Sequence, residues 1–148
     1  MKRLLVLLGA CGGVYSDPKL ATTESTCDQP TGSAHATPLA SDVISLVVAR
    51  WLHCSGPDML GKGELGVQFL ASGNYLALAP DADGNLVDMP GLDGTWDAEN
   101  VDTSLVQFNW HVMPGITDFA FLMFEDEPRR FVVTFDNASG PSMFAEVP

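Results

Sequence analysis

The residues able to do chemistry are few and scattered. His35, His53 and His111 lie far apart along the chain, so nothing in their spacing groups them. Ser55 precedes Gly56-Pro57 and Ser142 follows Gly140-Pro141. Neither sits in the Gly-x-Ser-x-Gly turn that lifts a serine nucleophile over a sheet. With no nucleophile, base and orienter at a recognisable spacing, the chain reads as a non-enzyme with no catalytic residue and no cofactor. Cys27 and the adjacent pair His53-Cys54 lack the paired ligand spacing of a zinc centre, so no metal site is expected. Asp81-Ala82-Asp83-Gly84-Asn85 carries side-chain oxygens at alternate positions, as calcium loops do. Its glycine stands fourth instead of sixth, and Leu92 occupies the twelfth place, where a bidentate Glu is required. A hairpin turn built on Asp-Gly or Gly-Asn is the simpler reading.

The remaining candidates lie on one segment. In Val106-Gln107-Phe108-Asn109-Trp110-His111-Val112 the apolar residues alternate strictly with polar ones, the pattern of a strand with one face on a core. The polar face, Gln107, Asn109 and His111, either meets solvent or lines a barrel interior where His111 orients a ligand. In the second case the ligand would lie between Trp51 and Trp110, with Trp51, His111, Asn109 and Gln107 as its contacts. As packing alone, Trp51, Trp96 and Trp110 bury large apolar area and specify the core.

These residues need a sheet to hold them, and the chain from residue 43 onward reads as one. Phe131-Val132-Val133-Thr134-Phe135-Asp136 repeats the alternation, and 117–124 is apolar on both faces, which suggests a covered strand. Further strands are expected at 46–54, 67–70, 74–79, 85–88, 94–97 and 142–147. Turn signals separate them: Ala71-Ser72-Gly73-Asn74, Ala82-Asp83-Gly84-Asn85, Asp93-Gly94, Met113-Pro114-Gly115 and Glu125-Asp126-Glu127-Pro128. The last of these reads as a solvated turn whose charge Arg129 and Arg130 partly offset. Strands at this spacing give an all-β fold, a small antiparallel meander closing as a barrel or sandwich. Residues 43–48 have an alternative as a helical turn with Ser41 as N-cap.

Upstream, 12–41 is rich in Ser, Thr, Pro, Gly and Asp without apolar period. Such composition does not offset the entropy of ordering, so a flexible tether is expected. The formal charge of -12 disfavours nucleic acid, whose recognition depends on neutralising phosphates with Lys and Arg, and equally disfavours docking on anionic headgroups. No segment has the run of about 20 apolar residues that a membrane-spanning helix requires.

At the N-terminus, Lys2-Arg3 leads into Leu4-Leu5-Val6-Leu7-Leu8 and then Gly9-Ala10-Cys11. The basic start, short apolar run and small residues describe a secretory signal peptide, and Leu8-Gly9-Ala10-Cys11 resembles the lipobox of bacterial lipoproteins. The resemblance implies cleavage before Cys11 and lipidation of that cysteine. Loss of Lys2 and Arg3 makes the charge two units more negative. Two or three acyl chains hold a protein on a bilayer without help from its folded part. Organisation then follows as signal peptide 1–10, lipidated N-terminus and tether 11–42, and a single β domain 43–148. With Cys11 lipidated, Cys27 and Cys54 remain as an even pair in an oxidising compartment, and a disulfide between them is expected. It would pin the second half of the tether along the domain. Gly12 after the cysteine resembles outer-membrane sorting, which places the protein in the cell envelope, anchored through its lipid.

Within the β pattern, Ala49-Arg50-Trp51 near the first strand, Gly94-Thr95-Trp96 in mid-domain and Arg129-Arg130 before a late strand are similar to a lipocalin-type barrel, with Ala49 where that pattern has Gly. The resemblance implies a Trp near the first strand packed beneath a late Arg. Two functions follow from these readings. One is a structural or interaction lipoprotein with a filled core, binding an envelope protein partner through a sheet face or edge. The other is a lipid-anchored module holding a small apolar ligand inside the barrel. The many large aromatics, Phe108, Trp110, Phe119, Phe121, Phe124, Phe131 and Phe135, favour a filled core.

Overall fold

The structure, a computed structural model, describes residues 27–28, 32–37, 39–57, 63–113, 115–127, 129–136 and 138–147. The expected signal peptide, Cys11 and the first half of the expected tether lie outside the described residues. Among the described residues a helix, α1 (Ala40–Val47), precedes nine strands: β1 (Arg50–Ser55), β2 (Gly66–Phe69), β3 (Asn74–Pro80), β4 (Leu86–Asp88), β5 (Gly94–Asn100), β6 (Val106–Met113), β7 (Ile116–Glu125), β8 (Arg130–Phe135) and β9 (Ser142–Val147). All pairings are antiparallel. β1 bonds both β2 and β9, so the ring β1-β2-β3-β5-β6-β7-β8-β9 closes on itself as an eight-stranded barrel. Between barrel and sandwich, the chain forms the barrel. The short β4 lies outside this ring, paired to β3 alone.

Each strand expected from alternation or turn punctuation is present; most ends agree within a residue, β5 runs three residues past the expected 97, and the start of the first strand moves most. Residues 46–49 are not strand: the helix runs through Val47, and β1 starts at Arg50. The helical alternative therefore holds, although Leu39 and not Ser41 is the N-cap. No side chain caps this terminus from within the helix; instead Asn100 Oδ1 accepts the Ala40 N–H at 3.1 Å. Val43 and Val47 are buried and α1 packs against β5 and β6, closing one end of the barrel. The helix thus starts ahead of the expected 42/43 boundary and belongs to the domain.

Inward-facing aromatics pack the barrel from the helix end toward its middle. Trp51 meets Phe131 edge-on at 4.7 Å, Phe131 stacks on Phe144 at 4.9 Å, and Phe69 makes edge contacts with Phe108 at 5.5 Å and Trp110 at 5.1 Å. Trp51, Phe69, Phe108 and Phe131, which are fully buried, each stabilise the fold by roughly 1.5–3 kcal/mol through area alone, and pair geometry adds about 0.5–1.5 kcal/mol.

Residues 27–28 and 32–37, in the second half of the expected tether, are docked on the barrel. Cys27 and Cys54 form a disulfide with Cα atoms 5.4 Å apart. His35 exchanges backbone hydrogen bonds of 2.9 and 2.8 Å with Phe124, and the Gly32 N–H reaches Glu125 Oε2 at 3.3 Å. Glu125 is accordingly buried and pairs with buried Arg130 at 3.7 Å, which corrects the reading of Glu125 as part of a solvated turn. A carboxylate is held under cover only with a cation and hydrogen bonds beside it. β7 is corrected in the other direction. Ala120, Leu122 and Phe124 are buried, but Phe119, Phe121 and Met123 are exposed, so this strand is covered on one face only.

Candidate ligand cavity

At the end opposite α1 the interior is open. Leu65, Gly66 and Val67 of the β2 side, Tyr75 and Ala77 of β3, Gly91 and Leu92 of the rim, Trp110 and Phe144 enclose a cavity of about 320 Å³. The space has two causes. Two inward positions here, Val67 and Ala77, are small, so the aromatics that reach the wall, Tyr75, Trp110 and Phe144, leave the space between them unfilled. In addition β3 and β5 share only two register pairs, Asn74 with Thr95 and Tyr75 with Gly94. Beyond them β3 turns to β4, and the loop before β5 takes over its hydrogen bonds: the Met89 N–H donates to Ala77 O, and the Ala77 N–H donates to Asp93 Oδ1. The filled-core expectation thus holds beside the helix and fails at the open end.

The volume lies at the lower end of the roughly 300–1,000 Å³ typical of small-molecule sites. It is about twice the ~150 Å³ cavity that accepts benzene in a protein core, which suits a molecule of about two rings. The lining is almost wholly apolar. Its polar element is the Tyr75 hydroxyl, on a side chain only 4% exposed. The Trp110 indole N–H is turned toward that hydroxyl without the geometry of a full hydrogen bond. Burial raises the Tyr75 pKa above its usual value, and the nearby carboxylates of Asp93 and Asp118 raise it further. The hydroxyl is therefore a neutral phenol at physiological pH.

The residues singled out from sequence lie elsewhere. Gln107, Asn109 and His111 alternate with the inward Phe108 and Trp110, so they stand on the outer face and do not line the cavity, which corrects the interior reading. There they form one polar ladder. Gln107 Nε2 donates to Asn109 Oδ1 at 2.8 Å, Asn109 Nδ2 donates to Asp97 Oδ1 at 2.6 Å, and His111 lies 2.9 Å from Asp97 Oδ2 and 2.7 Å from Thr117 Oγ1. Hydroxyl, imidazole and carboxylate in a row are the groups of a nucleophilic triad, but this row borders neither the cavity nor a second cleft of about 220 Å³ beside α1. Its physical effect is to tie β5, β6 and β7 together.

Trp51 is likewise corrected. It is fully buried at the helix end, donating from Nε1 to Val47 O at 2.7 Å, and does not line the cavity. The lipidation candidate Cys11 lies outside the described residues, while Cys27 and Cys54 are bonded to each other. Asp81 folds its loop as a turn: its Oδ1 accepts the N–H groups of Asn85 and Asp83, both at 2.9 Å, and these bonds, led by Asn85, hold its carboxyl below the ordinary range. No cluster of three or more His, Cys, Asp or Glu suited to a metal occurs among the described residues. Among the same residues no helix is long and apolar enough to cross a membrane.

Sequence reasoning did not single out Leu65, Val67, Tyr75, Ala77, Leu92 or Phe144 as a group. Alternation marks Tyr75 and Phe144 as inward, but the separation of β3 from β5 is what makes them a site. Comparisons with family models, with curated proteins and with solved structures find no match to this chain.

Proposed function

We propose that this chain is a non-catalytic binding module of the cell envelope, anchored through lipid on Cys11, that holds a small apolar molecule in its barrel. The observation that carries this reading is the apolar cavity of about 320 Å³ at the open end. A barrel whose other end is packed with aromatics and plugged by α1 has no structural need of such a space, because an unfilled apolar cavity costs stability in proportion to its volume. Arg129 stacked over Trp51 at 5.5 Å supplies the late Arg over an early Trp that the lipocalin resemblance implies, and an eight-stranded barrel is the architecture in which that resemblance places a ligand.

Two measurements test it. Native mass spectrometry of the protein from its own membranes should show a bound small molecule lost on denaturation, and Ala77→Trp, which fills the cavity, should abolish that adduct. Retention of the adduct by Ala77→Trp would put the ligand elsewhere. For the anchor, Cys11→Ala should move the protein from the membrane to the soluble fraction, since lipidation through this position is the only attachment proposed.

A second reading, an interaction role, is favoured by the outer stripe Phe119, Phe121 and Met123, which are 46%, 39% and 42% exposed. Contiguous exposed apolar residues of this kind mark partner surfaces. Cross-linking from residue 121 in membranes, with capture of one envelope protein, supports it; capture that persists in Phe121→Ser with Phe119→Ser counts against it.

A further inference from the structure

The cavity has a charge preference that its apolar lining hides. Three aromatic side chains, Trp110, Tyr75 and Phe144, form part of its wall, with Tyr75 and Trp110 rings 5.5 Å apart in edge geometry. Two carboxylates, of Asp118 and Asp93, are near enough to the wall residue Tyr75 to act on its hydroxyl, although neither belongs to the lining itself. Asp118 is the direct cross-strand partner of Trp110, and since opposed residues share a face, it is on the interior side at the open end. Asp93 follows the rim residue Leu92 and is hydrogen-bonded to the N–H of the lining residue Ala77 at 3.2 Å. The described arginines have partners of their own, and none lines the cavity. Arg129 pairs with Glu146, Arg130 with Glu125, and Arg50 donates to Leu86 O.

We propose that the cavity selects an apolar organic cation, a hydrophobic amine of about two rings, whose ammonium group lies against the Trp110 and Tyr75 rings and the carboxylates of Asp118 and Asp93. This rests on the reading of the cavity as a ligand site. The physics has two parts. An ammonium against an aromatic face is attracted by the ring quadrupole, more strongly once water is excluded. The carboxylate of half-buried Asp118 adds a Coulomb attraction stronger than in water, and that of exposed Asp93 a weaker one. The same field acts on the phenol of Tyr75, where Asp93 and Asp118 oppose formation of a phenolate. A carboxylate ligand meets that repulsion, and the chain's formal charge of -12 adds to it at low salt.

Isothermal titration calorimetry at low ionic strength with three probes of one shape tests this: naphthalene, 2-(aminomethyl)naphthalene, which is protonated at neutral pH, and 2-naphthoate. The amine should bind roughly tenfold more tightly than naphthalene, and naphthoate more weakly than either. Asp118→Asn should remove most of the amine's advantage while leaving naphthalene affinity unchanged, which also shows that the variant keeps its cavity. If naphthalene binds as tightly as the amine, or if Asp118→Asn weakens both alike, the charge preference is wrong and the apolar-ligand reading stands. If none of the three binds, both fall.

Discussion

The Arg129 guanidinium lies over the Trp51 indole, 5.5 Å from its ring centroid, while its two terminal nitrogens donate to Leu46 O and, at 2.8 Å, to Glu146 Oε1. One side chain therefore joins the end of α1, β1 and β9 at the point where the barrel is plugged. Trp51 closes the same joint from within by donating to Val47 O.

Arg129→Ala should cost about 2–3 kcal/mol in urea unfolding, the sum of a cation–π contact, a carbonyl left without its donor and a half-exposed ion pair that contributes little. Arg129→Lys should recover less than half of this, because an ammonium cannot stack and fork at once. If lysine restores full stability, the stacking is not what holds the joint.

Cys27→Ser should lower stability by roughly 3–4 kcal/mol, the chain-entropy value for a closed loop of this length, and reductant should reproduce the loss in the native protein only. The disulfide holds the segment whose Gly32 N–H reaches Glu125. Hydrogen exchange at the His35 and Phe124 amides, which bond each other's carbonyls, should quicken in the variant. Unchanged exchange there would mean the segment docks without its cross-link.

The places where strand and turn were legible share a cause. Val106, Phe108 and Trp110 against Gln107 and Asn109 can satisfy a core only as a strand, and period and punctuation agree. Residues 43–48 were ambiguous because Val43 and Val47 serve a helix face as readily as a strand run, and only the need to close the barrel decides between them. Glu125 was misread because its partner cation and the Gly32 N–H arrive from other parts of the chain. The cavity was least legible. It depends on which neighbouring strands separate, and Gly94 and Asp93 set that separation through contacts that no local pattern encodes.

Gly94 shows how tight that point is. A Cβ there would fall 2.7 Å from Tyr75 Cε1 and 2.8 Å from its hydroxyl oxygen, and would also strike the His111 carbonyl. Because backbone and a buried ring must both move, Gly94→Ala should cost about 1–3 kcal/mol and displace Tyr75 into the cavity. A probe that binds the native cavity should then bind the variant at least several-fold more weakly. Native-like affinity in Gly94→Ala would show that Tyr75 does not shape the site.

Tyr75 also gives the protein an alkaline signature. Burial, with Asp93 and Asp118 behind it, raises the pKa of the hydroxyl above the ordinary value, and the Trp110 N–H only partly opposes this. Between the unfolded value, about 10, and the higher folded value, the native state holds a proton that the unfolded chain has lost. Unfolding stability must therefore fall with pH in that window. The contribution is complete below about pH 10 and disappears as pH rises through the folded value. Tyr75→Phe has no proton to lose, so the difference between native and variant urea midpoints should be constant from neutral pH to the window's lower edge and then shift steadily against the native protein. Asp118→Asn should narrow the window by lowering the folded value. Parallel curves for native protein and Tyr75→Phe across the whole range would show that the hydroxyl is solvated, and the cavity wall would then have to be redrawn without it.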